Sequence, residues 1–453
     1  MTELSRRDVL KAGGGLAAAA VAAPLLGRAQ SPGPGKHVHV PTSAAQVTFW
    51  CTLTDIYYQS AQHIVNNFNN KHKDIQVKIV QVPTEATNDT SKLLTAVRGG
   101  TGPDVYFLDR FVVTQEAATG VLEPLSKYIS KEKNLSGQYL DYAWKEVEFK
   151  KTPFALPFDT DVRALYYNKT VLQQSGLDPA ELDIKNGPIT VERMRQINQK
   201  VNQVASNGNY SRVGVVPWFD QGETYTWGFI YGGSFANDKK CQVTPTNSGA
   251  VNGLQYIYDW AKEFGPDKLA SFISAYAPMH APPATYPMFQ NRTALSLTGD
   301  WQIAAIKQYV PSLQYGITYL PVPKKGDKPS TWSGGFSLVI PHGAKNADGA
   351  WEFMRYACGT AGQRTYTKDT THTPTWKSLV QDKSLYGPEH LIFTQKLLPI
   401  TRSRPPLPVG SLYWDQLQNA ESQVELNQKD PKSALDAVAT AVNPRLQPYC
   451  PII

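Results

Sequence analysis

Little in this chain of 453 residues suits covalent or metal chemistry. Cysteine is scarce: Cys51, Cys241, Cys358 and Cys450 stand far apart, with no C-x-x-C and no Cys/His pair at zinc-ligand spacing, so neither a metal nor any other cofactor is expected. Neither a G-x-S-x-G elbow nor an H-E-x-x-H helix occurs. After residue 29 no stretch approaches the ~20 apolar residues of a membrane span. Charge of one sign is not clustered either. Of the formal +7, the first 29 residues hold four basic against two acidic side chains, which leaves +5 spread over the remainder and gives no case for nucleic acid. No repeat of solenoid length is visible.

The first thing that is present is an export signal. Arg6-Arg7 precede a mild apolar run, Ala12 to Leu26, that ends at the small-x-small site Gly27-Arg28-Ala29. A charged n-region, a short h-region and paired arginines describe a twin-arginine signal, with cleavage near Ala29. Gly13-x-Gly15-x-x-Ala18 mimics a dinucleotide loop, but it lies inside this signal with no strand before it. The first cysteine, Cys51, follows Thr48-Phe49-Trp50 and not the h-region, so a lipid anchor is not expected. The mature chain should work in the periplasm or outside the cell.

Residues 30–43 read as a flexible leader. A rhythm then begins. Val47–Trp50, Ile75–Ile79 and Pro103–Leu108 read as strands. The face Tyr57, Ala61, Ile64, Val65, Phe68, the set Leu93, Leu94, Val97 before Gly99-Gly100, and a segment closed by Gly120 read as helices between and after them. Such alternation implies βαβ units and mostly parallel sheets flanked by helices, an α/β fold. The pattern restarts with a strand at Ala164–Tyr167, a helix near Val191–Val204 and a strand at Val213–Pro217. Further helices are expected around Val251–Phe264, Trp301–Tyr309, Ala347–Cys358, Trp414–Leu417 and Pro431–Val442, with an extended Phe336–Pro341. Aromatics are generous, with 10 Trp and 23 Tyr, many in Gly- or Pro-bounded loops that suit flat or ring-shaped ligands.

Four ordered stretches carry a family likeness. They are Gly99-Gly100-Thr101-Gly102-Pro103-Asp104-Val105 through Gly120-x-Leu122-x-Pro124-Leu125; Pro157 through Ala164-Leu165-Tyr166-Tyr167-Asn168-Lys169 to Gly176-Leu177; Asn291–Leu295 with Gly299-Asp300-Trp301; and Gly334-Gly335 to Pro341 with Ala350-Trp351-Glu352-Phe353 and Pro374. Together they resemble the extracellular solute-binding proteins of ABC importers, in the sugar-binding family that includes maltose-binding protein. The resemblance implies a two-lobed periplasmic-binding-protein fold with a ligand cleft at the crossovers and no catalysis. One lobe would comprise 44–156 plus 335–385, the other 157–334 plus 386–453. It implies capture of a carbohydrate, a di- or oligosaccharide, by a monomer that delivers it to the transmembrane subunits of an ABC permease. Within those lobes any disulfides would join Cys51 to Cys358 and Cys241 to Cys450, with free buried thiols as the equal alternative.

Ligands of open α/β sheets bind beyond the carboxyl ends of strands. Asp55 follows the first strand, Asp109 and Arg110 the third, and Asp159 and Asp161 lie on a crossover. Carboxylates accept, and arginine donates, the charge-assisted hydrogen bonds that sugar hydroxyls offer. Asp is equally a favoured N-cap, and for Asp55 the two roles stand level. The resemblance places Asp109, Arg110 and Asp161 at ligand-contacting positions, and Tyr225, Trp301 and Trp414 at or beside stacking positions. Trp227 and Trp332 are further stacking candidates, with core packing the competing reading for Trp227 and Trp414. A glycerophosphodiester binder of the same family is the alternative, with the Gly334-Gly335 amides and Arg110 or Arg402 on phosphate. A secreted glycosidase or lyase is the remote one: Asp159 and Asp161, two apart on an extended strand, would point to opposite faces, which is poor geometry for flanking one bond.

Overall fold

The computed structural model describes residues 44–82, 89–278 and 281–452; the signal and leader expected over 1–43 lie outside the described residues. The chain begins with β1 (Ala45–Cys51), α1 (Asp55–Lys71), β2 (Ile75–Gln81), α2 (Ser91–Arg98), β3 (Val105–Asp109) and α3 (Arg110–Ala118). β1 buries alternate residues Val47, Phe49 and Cys51, while α1 buries the stripe Ala61, Ile64, Val65 and Phe68. Every residue of β3 is buried, as befits a central strand covered on both faces. Past α3 the chain turns at Gly120, whose φ of 75° lies in the left-handed region that glycine tolerates.

The chain then leaves this sheet through β4 (Ala155–Pro157), β5 (Asp159–Thr160) and β6 (Arg163–Asn168). Next come α4 (Val191–Val201), α5 (Thr224–Ile230), α6 (Ser248–Phe264), β7 (Leu295–Gly299), α7 (Gln302–Tyr309) and β8 (Tyr315–Thr318). It returns through β9 (Thr331–Ser333) and β10 (Phe336–Val339), followed by α8 (Ala347–Ala357), α9 (Thr360–Thr370) and β11 (Thr373–Pro374). A third crossing leads to β12 (Thr401–Ser403), α10 (Gly410–Glu425) and α11 (Pro431–Leu446).

The first sheet has the order β2-β1-β3-β10-β4, with β2, β1 and β3 parallel and β10 antiparallel to both β3 and β4. Its core gathers Phe49, Phe68, Phe107, Leu338 and Phe353. The second sheet is β7-β6-β8, and its neighbouring core gathers Leu165, Met194, Trp227, Leu254, Leu297 and Tyr413. Two sheets with separate cores form the two-lobed α/β architecture. The segments between them are themselves tied: β5 pairs with β11, and β9 runs parallel to β12.

Three local expectations need correction. A mostly parallel sheet holds for the first lobe only, because β7 and β8 both run antiparallel to β6. β6 is buried along its whole length, and a run covered on both faces reads the same whichever way its partners run. Val213–Pro217 is not a strand: Val213 alone bridges to Thr293, while the Gly214 and Val215 amides donate to the side chains of Asn202 and Asn198. Cys241 and Cys450 form a disulfide, but Cys51 and Cys358 are free and buried. Cys358 Sγ donates to the Leu156 carbonyl instead, 3.4 Å away.

Candidate functional site

The carboxyl end of β3 meets the segment after β12 in a buried cluster of charges and rings. Asp109 ends β3 and caps α3 by accepting from the Phe111 amide at 2.9 Å. Both its oxygens also accept from Arg404 Nη2, at 3.0 and 3.2 Å. The Arg404 guanidinium lies 4.3 Å over the Phe111 ring and 5.3 Å over that of Trp414. Tyr225 stacks on Trp414 at 5.9 Å and 21°. Capping and charge pairing thus coexist at Asp109, and residues of both lobes share one surface.

Arg110 has a different fate. It is fully buried, its Nε donates to Glu146 at 2.8 Å, and its Nη atoms donate to the carbonyls of Asp159 and Gly334. Its guanidinium is occupied by protein and pins two crossover segments together. Gly335, at φ 126°, makes this pin possible, since a Cβ there would stand 2.5 Å from the Asp159 carbonyl oxygen. Asp159 and Asp161 serve the same crossovers. Asp159 Oδ1 accepts from the Phe336 amide at 2.6 Å and its Oδ2 stands 3.0 Å from His372 Nδ1. Asp161 Oδ1 accepts from the Gly334 amide at 2.6 Å and from Arg163.

The Arg163 guanidinium lies 3.5 Å over the ring of Trp332, whose Nε1 donates to Thr226 Oγ1 at 2.7 Å. It also lies 5.4 Å over Trp301, the half-buried residue that stacks on His372 at 5.9 Å. Trp227 is a core residue: it is buried, donates to the Pro217 carbonyl at 3.0 Å and packs on Tyr256. Asp55 is exposed at the start of α1, with φ 49°, and accepts from Thr54 Oγ1 rather than capping the helix. It takes no part in the hydrogen bonds of the cluster. The donors that a phosphate would need are not assembled either. Arg110 and the Gly334 amide are engaged as described, and Arg402 lies elsewhere, over Phe229.

Sequence reasoning missed Arg163, Arg404, Glu223, Asp300 and His372. Glu223 and Asp300 each sit beside a nominated aromatic, which is the signal that could have found them; nothing local marks Arg404. Several buried atoms around the cluster lack a protein partner among the described residues: Glu223 Oε2, Asp300 Oδ1, Tyr225 Oη and Arg404 Nε. Buried polar atoms are normally satisfied, so such a concentration marks where a polar ligand or water belongs. Burial pushes the Glu223 and Asp300 carboxyls up to about 7, against the pull of Arg163 on the one and His372 on the other. For His372 burial acts downward, but Asp159, Asp300 and Asp161 outweigh it and push the imidazole up to about 8. The surface so formed is largely charge-compensated, rich in ring faces, and supplied with unused acceptors and donors. That combination suits a neutral polyhydroxylated ring.

Known proteins share this fold. The family model of the bacterial extracellular solute-binding proteins matches residues 52–364, and that of the twin-arginine translocation pathway signal sequences matches residues 3–23. The maltotriose-binding protein of Pyrococcus abyssi (strain GE5 / Orsay) is 20% identical over 402 residues, which are 86% of this chain and 79% of that protein. The sn-glycerol-3-phosphate-binding periplasmic protein of Pectobacterium atrosepticum is 21% identical over 444 residues, 90% of this chain and 92% of that protein. Among solved structures, CpMnBP1 with mannobiose bound superposes with a TM-score of 0.76 at 21% identity, covering 88% of this chain and 99% of that one, a likeness of fold. The signal marks the chain for export.

Proposed function

The chain belongs to the bacterial extracellular solute-binding proteins, and we propose that it is the receptor of an ABC importer that captures a di- or oligosaccharide between its lobes. The observation that carries this reading is the cluster itself: Asp109–Arg404 and Asp161–Arg163 are paired, and the partly exposed rings of Trp301 and Trp414 stand among unpartnered oxygens. Each arginine there already carries a carboxylate counter-charge, which favours a neutral sugar over the sn-glycerol-3-phosphate that the Pectobacterium relative is named for. Lobes of 44–156 plus 335–385 and 157–334 plus 386–453 would hinge about the crossovers, the mode of closure by which periplasmic binding proteins enclose their ligands. The ligand acts by contacting the closed form better than the open one. A micromolar Kd corresponds to about −8 kcal/mol, within reach of a few charged hydrogen bonds and two stacked faces after binding costs. The closed receptor would then dock on the permease.

A thermal-shift screen of the mature protein with mono-, di- and trisaccharides and with glycerophosphodiesters tests this. A solute at a hundredfold excess over Kd should stabilise the fold by about 2.7 kcal/mol. Trp301→Ala should weaken that solute at least tenfold with the fold intact. A shift with glycerophosphodiesters alone selects the alternative ligand, and turnover of the solute overturns the receptor reading.

A further inference from the structure

A cavity of about 1110 Å³ lies among the crossover segments, and of the residues nominated from the sequence only Arg402, the candidate phosphate ligand, lines it. One wall is the short helix Asp141–Lys145 with the hairpin Glu148–Phe149 and Thr152–Pro153; the other combines Phe229 to Asp238 with Leu398 to Pro406. Arg402, in the middle of β12, belongs to this cavity. Its guanidinium lies 4.6 Å over the Phe229 ring, and among the described residues no carboxylate pairs with it. It is half-buried, and desolvation pulls its pKa down, as expected for a cation without a counter-charge.

The contrast with its neighbours is chemical. Arg110 is neutralised by Glu146, Arg163 by Asp161 and Arg404 by Asp109. The acids that line the cavity are largely engaged: Glu146 by Arg110, Asp141 by Lys377, while Glu148 accepts from Trp144 Nε1 at 2.8 Å. The indole does not neutralise Glu148, so Glu148 and Asp238 stand against Arg402, Lys145, Lys150 and Lys151, an excess of two positive charges. Lys150 and Lys151 are exposed at the tip of the hairpin, at φ 50° and 62°, so the turn sets two ammonium groups on the rim. A partly desolvated guanidinium on an aromatic face, unpaired and backed by ammonium groups, is a donor set for a planar or tetrahedral oxyanion.

We propose that this cavity is a second ligand site, adjoining the aromatic cluster through Arg404 but centred on Arg402, which takes a small molecule with a phosphoryl or carboxylate group seated on that guanidinium. The guanidinium would donate two parallel hydrogen bonds to the anion, and the rim lysines would add compensating charge. The space exceeds what a bare phosphate fills, so the anion would be the head of a larger molecule whose body packs on Phe235, Leu398 and Pro405.

Isothermal titration of the mature protein with inorganic pyrophosphate, glucose 6-phosphate and citrate tests the site, at ionic strength matched with sodium chloride so that screening is constant. At least one of these anions should bind one-to-one with a Kd below about 1 mM. Arg402→Met should weaken it at least tenfold. The exposed double variant Lys150→Gln with Lys151→Gln, which touches no core residue, should weaken it about threefold. Phosphate-bearing probes binding without citrate, or the reverse, identifies the head group. Failure of all three anions to bind with a Kd below about 1 mM overturns the proposal. So does binding that persists in the lysine variant and in a folded Arg402→Met but disappears in Trp301→Ala, because the anion would then sit in the aromatic cluster.

Discussion

Raising the pH from 6.5 to 8.5 should destabilise the unliganded protein, and the reason lies in three buried groups of the cluster. His372 is held at about 8 against an ordinary 6.5. A base with a raised folded pKa contributes stability that is complete below its unfolded pKa and lost as pH climbs through the folded one. At about 1.4 kcal/mol per unit this amounts to roughly 2 kcal/mol, lost between pH 6.5 and 8. Glu223 and Asp300, raised to about 7 from 4.5 and 3.8, act in the same direction. The folded state holds their protons more tightly, so each loses stability as pH rises from the unfolded carboxyl range to about 7. The contributions do not add, because Asp300 and His372 share one field. His390 has the opposite sign: burial depresses its pKa to about 3, so its destabilising effect appears only below pH 6.5, outside the chosen window. At about 2 °C per kcal/mol for a chain of this size, the His372 share alone should lower Tm by roughly 4 °C. Differential scanning calorimetry at fixed ionic strength measures it, with His372→Gln expected to flatten the slope between pH 6.5 and 8. A Tm that stays level or rises across that window, or an undiminished slope in His372→Gln, refutes the reasoning.

Two other perturbations follow from the same structure and sequence. Arg110→Met leaves Glu146 buried without its counter-charge, so urea denaturation should report a loss of about 3–5 kcal/mol; adding Glu146→Gln should restore part of it, since the orphaned charge and not the lost pair is the main penalty. Arg6→Lys combined with Arg7→Lys should leave unprocessed precursor in the cytoplasm by immunoblotting of fractions, and normal export of that variant would contradict the twin-arginine route.

Much of the scaffold was legible because it depends on local periodicity. The buried alternation of Val47, Phe49 and Cys51 and the stripe Ala61, Ile64, Val65, Phe68 specify strand and helix before any partner is known. The rule that ligands gather beyond strand ends led to Asp109 but equally to Asp55, which lies outside the cluster's hydrogen bonds, while Trp301 and Trp414 were suggested by the family resemblance. What local pattern does not carry is pairing. The direction of β7 and β8 against β6 is set by where distant chain lies, and β6 looks alike in either case. Val213–Pro217 has strand composition, yet asparagine side chains from α4 and its end supply the hydrogen bonds that a neighbouring strand would have made.

The fate of each arginine shows why the site itself was only half legible. Arg110 and Arg404 are equally plausible ligand contacts by residue type. Arg110 finds Glu146, 36 positions away, and the Gly334 carbonyl, 224 positions away, and so becomes part of the crossover. Arg404 finds Asp109 across 295 positions, keeps its Nε unpartnered and lies against Trp414. A guanidinium has five donors in a fixed fork, and whether any remain for a solute depends on how many acceptors the fold brings to it. No sequence interval encodes that count. Since Arg110 pins the very segments that carry Asp159, Asp161 and Gly334, the proposed binding surface can take its geometry only after the crossings have formed. The charge pairs of the crossover are therefore a condition for the recognition surface, and a variant that loses Arg110 should lose solute affinity together with stability, whereas one that loses Trp301 should lose affinity alone.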